Sequence, residues 1–189
     1  MLSVIIPTEG VERTAVATLA ALVPGAAAGV IREVLLVDRA GNGVIERVAD
    51  VAGCHYLLFE GSRAAAMAEG ARQARSPWLM FLHAGAVLDP GWIDETAHFM
   101  QNASLAARPR AAIFRYASSP YGGNGLLDAL RSLSRTVLGP SADQGLLIAK
   151  EHYERLGGHA PDTQRAEAQL LRKLGRSSRT LLRSRIVVA

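Results

Sequence analysis

The chain has 189 residues, 49% hydrophobic and 20% charged, with a formal net charge of +4. That is enough for one domain with a full core, and the composition argues against a disordered chain. The single cysteine, Cys54, excludes an internal disulfide and a cysteine-built metal site, and no apolar run reaches the about 20 residues of a membrane span.

The first element is Leu2-Ser3-Val4-Ile5-Ile6, a continuous apolar run that ends in Pro7-Thr8-Glu9-Gly10. Met1 leads straight into it, with no basic n-region or cleavage site, which predicts no secretory signal and a reducing cytoplasm. Val16, Leu19 and Leu22 then recur at helical spacing over residues 14–22. A second run, Glu33-Val34-Leu35-Leu36-Val37, ends in Asp38-Arg39, and Ile45, Val48 and Val51 mark a helix over residues 44–51. A third, His55-Tyr56-Leu57-Leu58-Phe59, ends in Glu60-Gly61-Ser62-Arg63 and leads into an alanine-rich helix to Arg75. Cys54, just before it, reads as an inert core thiol. A fourth, Trp78-Leu79-Met80-Phe81-Leu82, ends in His83-Ala84-Gly85.

Short continuous apolar runs predict strands buried on both faces, and their alternation with helices predicts βαβ units around a parallel sheet. Ligands of open α/β sheets sit at the carboxyl ends of the strands. Four polar or flexible strand ends on that edge therefore point to a nucleotide or sugar-nucleotide pocket.

Beyond Leu82, Pro90-Gly91-Trp92 opens a helix through Gln101, with Asp89 as its cap and Asp94 and Glu95 in the first turn. Residues 111–116 read as a strand, and residues 117–125, rich in Ser, Pro and Gly, as a mobile loop. Leu126, Leu127, Leu130, Leu133, Val137 and Leu138 form one face of an amphipathic helix, read as core packing. A strand over residues 145–149, a short helix over 151–156 stopped by Gly157-Gly158, a helix over 165–174 and an extended tail over 181–188 complete the chain.

Between Arg165 and Arg185 stand seven basic residues against one acid, a local +6 that leaves −2 on the remainder. A solvated helix face, a contact with a diphosphate or anionic membrane, and a nucleic-acid patch are the three readings. No aromatic residues interleave the cluster for stacking on bases, so nucleic acid is the weakest of them. Several chemistries are disfavoured by missing motifs: there is no G-x-G-x-x-G after the first strand, no P-loop, no H-E-x-x-H and no G-x-S-x-G.

The ordered set of segments resembles family 2 glycosyltransferases. It comprises Val4-Ile5-Ile6-Pro7-Thr8, residues 32–38 ending in Asp38, Gly61-Ser62-Arg63 through Met67 to Gly70, Trp78 to Ala84, Leu88-Asp89-Pro90-Gly91-Trp92, Asp143-Gln144-Gly145, and Tyr153 to Gly158. The resemblance runs from Met1 to about Arg176. It implies an α/β, GT-A-like (Rossmann-like) three-layer sandwich with a mostly parallel sheet and helices on both faces. Residues 1–92 would be the nucleotide-binding half and 93–189 the acceptor-side half of a single domain. It implies a nucleotide-sugar donor, an acceptor such as a lipid or glycan, inversion at the anomeric carbon, no nucleic acid, and room for peripheral membrane contact.

By that resemblance Pro7 and Thr8 line the donor turn and Asp38 hydrogen-bonds uracil or ribose. Arg63 approaches the base or diphosphate, and Gln144 and Asp143 face the acceptor side. Each has an ordinary alternative: an ST-turn for Thr8, a turn cap for Asp38, a solvent-facing side chain for Arg63, and a strand cap for Asp143. The family's Asp-x-Asp, which holds Mg²⁺ or Mn²⁺, is replaced by His83-Ala84-Gly85. Hard cations want carboxylates, so no tight metal site is expected; His83 either donates to a phosphate or is a structural histidine. Counting forward from Gly157-Gly158, the family's base aligns with Glu167, which otherwise is a plain helix carboxylate. A catalytically degenerate relative that binds a nucleotide or a partner is the alternative to an enzyme.

Overall fold

The computed structural model describes residues 1–117, 144–161 and 166–188. The expected loop over 117–125, apart from Ala117, the helix over Leu126–Leu138, and Asp143 lie outside the described residues. In chain order the elements are β1 (Leu2–Thr8), α1 (Glu12–Ala27), β2 (Ile31–Asp38), α2 (Val44–Ala52), β3 (His55–Leu58), α3 (Arg63–Gln73), β4 (Trp78–Phe81), β5 (Ala86–Leu88), α4 (Trp92–Leu105), β6 (Ala111–Tyr116), β7 (Leu146–Ala149), α5 (Lys150–Arg155), α6 (Ala166–Leu174) and β8 (Arg179–Val188).

The strands form one sheet in the order β3-β2-β1-β4-β7-β6-β8-β5. The βαβ half is parallel throughout: β1 pairs with β2 and β4, and β2 with β3. The second half is mixed, because β7 runs antiparallel to both β4 and β6 while β8 runs parallel to β6. β5, a strand the sequence pattern did not single out, pairs antiparallel with β8 at the far edge. Its three residues are too few to carry a periodic signal.

Alternation along the strands divides the core. In β1, Leu2, Val4 and Ile6 join Leu22, Leu36, Ile45, Trp92 and Phe99 in a cluster beneath α1, α2 and α4. Ile5 joins Leu35, Val37, Met67, Leu79, Phe81, Tyr153 and Leu170 beneath α3, α5 and α6. Two helical layers thus cover a central sheet, the three-layer arrangement expected. Every residue of β1 and β4 is buried, as continuous apolar runs predict. β3 departs from that expectation: its ends, His55 and Leu58, are exposed, because it is an edge strand covered less completely. On the outer side, α1 and α2 leave an apolar groove of about 370 Å³ that includes Val16, Val23 and Val51.

Close approach is visible in α3. A Cβ on Gly70 would lie 2.6 Å from Ile5 Cγ2 and 3.2 Å from Val37 Cγ2, so only glycine lets this helix sit directly on β1 and β2. α1 runs five residues beyond the expected end and contains Pro24, a helix-unfavourable residue overridden by tertiary packing. Cys54 is half-buried against the first cluster, and burial raises its thiol pKa, in keeping with an unreactive thiol.

Asp89 does not cap α4. The N-cap is Gly91, with no side-chain bond, and the Asp89 carboxylate instead accepts Arg185 N at 3.0 Å and pairs with Arg185 Nε at 3.4 Å. The neighbouring Glu95 accepts from Arg183 N (2.6 Å), Ser184 N (2.8 Å) and Ser184 Oγ (2.6 Å), which fastens α4 to β8. Burial would raise the Glu95 pKa, yet these bonds and the Arg183 charge outweigh it and hold it below the usual carboxylate range.

Candidate active site

The carboxyl edge of the parallel strands carries two groups of polar side chains. The first joins the ends of β1 and β2. Thr8 and Asp38 are register partners, both buried, and Thr8 Oγ1 donates to Asp38 Oδ1 at 3.0 Å. The same oxygen accepts Gly10 N at 3.0 Å, and Oδ2 accepts Gly41 N at 2.9 Å. A short acid at a strand end meets the amides of two turns, so in the free protein Asp38 is enclosed and closes both loops. Pro7, also buried, precedes Thr8 in the same strand.

The second group joins α3, the end of β4, and α6. Ser62 caps α3 by accepting Ala65 N at 3.1 Å and donates to Pro161 O at 2.6 Å, which brings the approach to α6 against the start of α3. Arg63 is therefore the first helical residue, where the helix expected up to Arg75 begins. Its Nη2 lies 3.0 Å from His83 Nδ1 and 3.4 Å from Glu167 Oε1. Arginine only donates, so His83 accepts at Nδ1 and a neutral ring carries its proton on Nε2. Glu167 stands in the first turn of α6, held inward by the burial of Ala166, Leu170, Leu171 and Leu174 on the same helix. Three residues far apart in sequence thus converge.

Arg63 and Glu167 border a cleft whose other walls include Met67, Phe81, Leu146, Leu171 and Gly145, with His83 behind Arg63. Gly145 has φ +66°, and a Cβ there would lie 3.0 Å from Leu82 Cδ2, so the turn into β7 needs glycine. Half-buried Gln144 precedes it. The cavity volume is only about 20 Å³, room for a water but not for a nucleotide.

His159 is the residue that sequence reasoning missed. It lines this cleft, is 3% exposed, and stacks edge-on against Phe81 at 4.8 Å. Its backbone N–H donates to Tyr153 Oη at 3.0 Å, and Tyr153 Oη donates back to Nδ1, 2.9 Å away. Burial, with the Arg63 charge second, pushes the His159 pKa down to about 4, while burial pushes Tyr153 up to about 12. The ring is neutral near pH 7. The one signal in the sequence is a histidine directly after the Gly157-Gly158 helix stop.

Arg39 is a second missed residue. Its Nε donates to Gly61 O at 2.8 Å and its Nη1 pairs with Glu9 Oε1 at 2.6 Å, so it ties together the loops after β1, β2 and β3. Three of the C-terminal cations are engaged in local contacts. Lys173 Nζ donates to Leu156 O at 2.9 Å, Arg179 to the Leu171 carbonyl, and Arg185 pairs with Asp89. Among the described residues no group of three or more His, Cys, Asp or Glu side chains could hold a metal ion. The donor set at the end of β4, one imidazole already engaged by a guanidinium, does not fit Mg²⁺ or Mn²⁺. No helix among the described residues is long and apolar enough to cross a membrane.

No protein-family model matches the chain, and no curated protein sequence matches it. Solved structures do match in fold, and they are GT-A glycosyltransferases. S. aureus TarS 1-349 in complex with UDP superposes with a TM-score of 0.71 at 13% identity, over 100% of this chain and 60% of that one. Glucosyl-3-phosphoglycerate synthase from Mycobacterium tuberculosis, in complex with Mn²⁺, UDP and glucosyl-3-phosphoglycerate, gives 0.68 at 15% identity, over 100% and 70%. The mannosyltransferase PcManGT from Pyrobaculum calidifontis, with GDP-Man and Mn²⁺, gives 0.68 at 18%, over 100% and 56%. The chain therefore has a GT-A-like, Rossmann-type α/β fold, and it spans less than two thirds of the length of TarS 1-349.

Proposed function

We propose that the chain transfers a sugar from a nucleotide-sugar donor to an acceptor hydroxyl, with inversion. The observation that carries this reading is the convergence of Arg63, His83 and Glu167 at the carboxyl edge of the parallel strands, where ligands of such sheets bind. The acceptor oxygen attacks the anomeric carbon from the face opposite the diphosphate. The new C–O bond forms as the bond to the diphosphate oxygen breaks, and the leaving group departs as the nucleoside diphosphate. Glu167 takes the acceptor proton. Arg63, oriented by His83, offsets charge on the leaving diphosphate, the task that a metal serves where acidic ligands exist. Residues 1–92 hold the donor and residues 93–189 shape the acceptor side, to which the family resemblance assigns Asp143 and Gln144. The loops clamped by Asp38 and Arg39 place the base and ribose, with Pro7 and Thr8 beneath them. An acceptor of lipid or glycan type fits this reading, as does action in the cytoplasm.

The test is Glu167→Gln, assayed for sugar transfer against a panel of nucleotide-sugars. The amide keeps the shape but takes no proton, so turnover falls by about 10²–10⁴ while nucleotide binding persists. Unchanged turnover ends the base assignment. A second reading, a non-catalytic nucleotide- or partner-binding relative, is favoured by one observation: the end of β4 offers no carboxylate for a metal. Nucleotide binding without transfer by the unaltered protein, across donors and acceptors, would select it.

A further inference from the structure

α1 carries two apolar stripes. The side it buries against the sheet is built largely of small residues, Ala15, Thr18 and Gly25 with Leu22. A second stripe lies about 100° round the helix. On it stand Val16 and Val23, 46% and 62% exposed, and α2 presents Val44 and Val51, the latter 89% exposed. Leu19 and Val48 fill the steps between them, so each helix repeats its apolar stripe after seven residues. Together these side chains line the groove of about 370 Å³ on the outer side of the sheet. A helix on a sheet needs one apolar stripe, and the outer pair remains after folding is complete. A seven-residue repeat is the seam by which helices pack on helices.

Two charges mark one end of the groove. α1 and α2 follow adjacent parallel strands and cover the same face of the sheet, so their N-termini share its carboxyl edge. Glu12 opens α1 and Arg47 closes the first turn of α2. Both line the groove, both are exposed, and neither forms an ion pair with a described residue.

We infer that this groove is the contact between two copies of the chain, paired about a two-fold axis that runs along the helices. That axis sets α1 of one copy over α2 of the other, a four-helix layer whose seam is the valine stripes. It brings Glu12 against the partner's Arg47, and Arg47 against the partner's Glu12. An axis across the helices would instead lay α1 on α1 and carry Glu12 to the far, valine end of the groove. The charges therefore select the orientation. Helices of 16 and 9 residues, about 10 Å wide, offer about 400 Å² per copy and about 800 Å² in all. An area of that size makes a weak, reversible dimer. The candidate sites of both copies then face the same way, because the axis keeps the two carboxyl edges on one side.

Sedimentation equilibrium of the unaltered protein from about 5 to 500 µM should show a reversible monomer–dimer equilibrium. Glu12→Arg sets guanidinium against guanidinium at two symmetric places, and Arg47→Glu does the same with carboxylates. Each should weaken the dimer by about tenfold or more. The variant carrying both substitutions restores opposite charges and should return to within about threefold of the unaltered dissociation constant. Val51→Lys puts a cation at a helix C-terminus, where it suits the dipole, so the monomer should keep its circular dichroism while the dimer is lost. Should a single charge variant lose its fold, Val51→Lys and the double variant still decide. An unaltered protein that stays monomeric throughout overturns the self-pairing. So does a monomer that binds phosphatidylglycerol vesicles through Val16 and Val51, which would give the groove to a lipid surface. A dimer left intact by Val51→Lys overturns the interface, and one that the double variant does not restore overturns the pairing of Glu12 with Arg47.

Discussion

His159 gives a prediction whose size follows from its burial. The ring is 3% exposed, packed on Phe81, and its pKa falls from 6.5 to about 4 on folding. The folded state therefore resists protonating it, whereas the unfolded chain takes the proton readily. Stability is full above pH 6.5 and is lost as pH falls toward 4, because the unfolded state binds the extra proton throughout that window. Between pH 7.5 and pH 4.5 the loss amounts to about 2.5 kcal/mol. The perturbation is His159→Phe, which retains the ring against Phe81 and removes the titrating nitrogen. The variant also loses its bond with Tyr153, a cost independent of pH in this range. Urea denaturation of both proteins at the two pH values separates the contributions. The gap in unfolding free energy should shift by about 2–3 kcal/mol in favour of the variant at pH 4.5. Parallel losses in both proteins would refute the placement of a neutral, enclosed imidazole.

Other outcomes follow from named contacts. Gly70→Ala should lower stability by about 1–3 kcal/mol, read as a lower urea midpoint at unchanged slope, because its Cβ would meet Ile5 Cγ2 at 2.6 Å. Glu95→Ala removes the acceptor of three hydrogen bonds from Arg183 and Ser184 and should cost about 1–3 kcal/mol, with hydrogen exchange accelerated along β8. Because the Glu95 pKa is lowered on folding, its contribution is present above about pH 4.5 and fades as pH falls below it, so the cost of the substitution should shrink in acid.

The parallel half was legible because β1 and β4 are buried throughout and β2 over its last four residues, so they read as nearly continuous apolar runs. The second half was less so. β5 is three residues long and finds its partner, β8, about a hundred residues away, a pairing no local pattern encodes. At the candidate site, the polar strand ends expected on the carboxyl edge of the parallel strands do gather there. What they could not show is who holds whom. Asp38 reads equally well as a ligand contact or a turn cap until the amides of Gly10 and Gly41 are placed beside it. His159 was hidden because its partner Tyr153 lies on a helix and its charge partner Arg63 comes nearly a hundred residues earlier. The contact of Arg63 with Glu167, like that of Ser62 with Pro161, is a tertiary contact without a sequence signature.

The central claim is that the Arg63–His83–Glu167 edge receives a nucleoside diphosphate without a bound metal ion. Thermal denaturation in a panel of UDP, GDP and their sugar conjugates, with EDTA and again with Mn²⁺, tests it most directly. A diphosphate at 100 times its dissociation constant should stabilise the unaltered protein by about 2.7 kcal/mol in EDTA, and Arg63→Met, by losing a charged contact worth about tenfold or more in affinity, should cut that shift to about 1.4 kcal/mol or less at the same concentration. Stabilisation that appears only with Mn²⁺, or that is undiminished in Arg63→Met, would contradict the account.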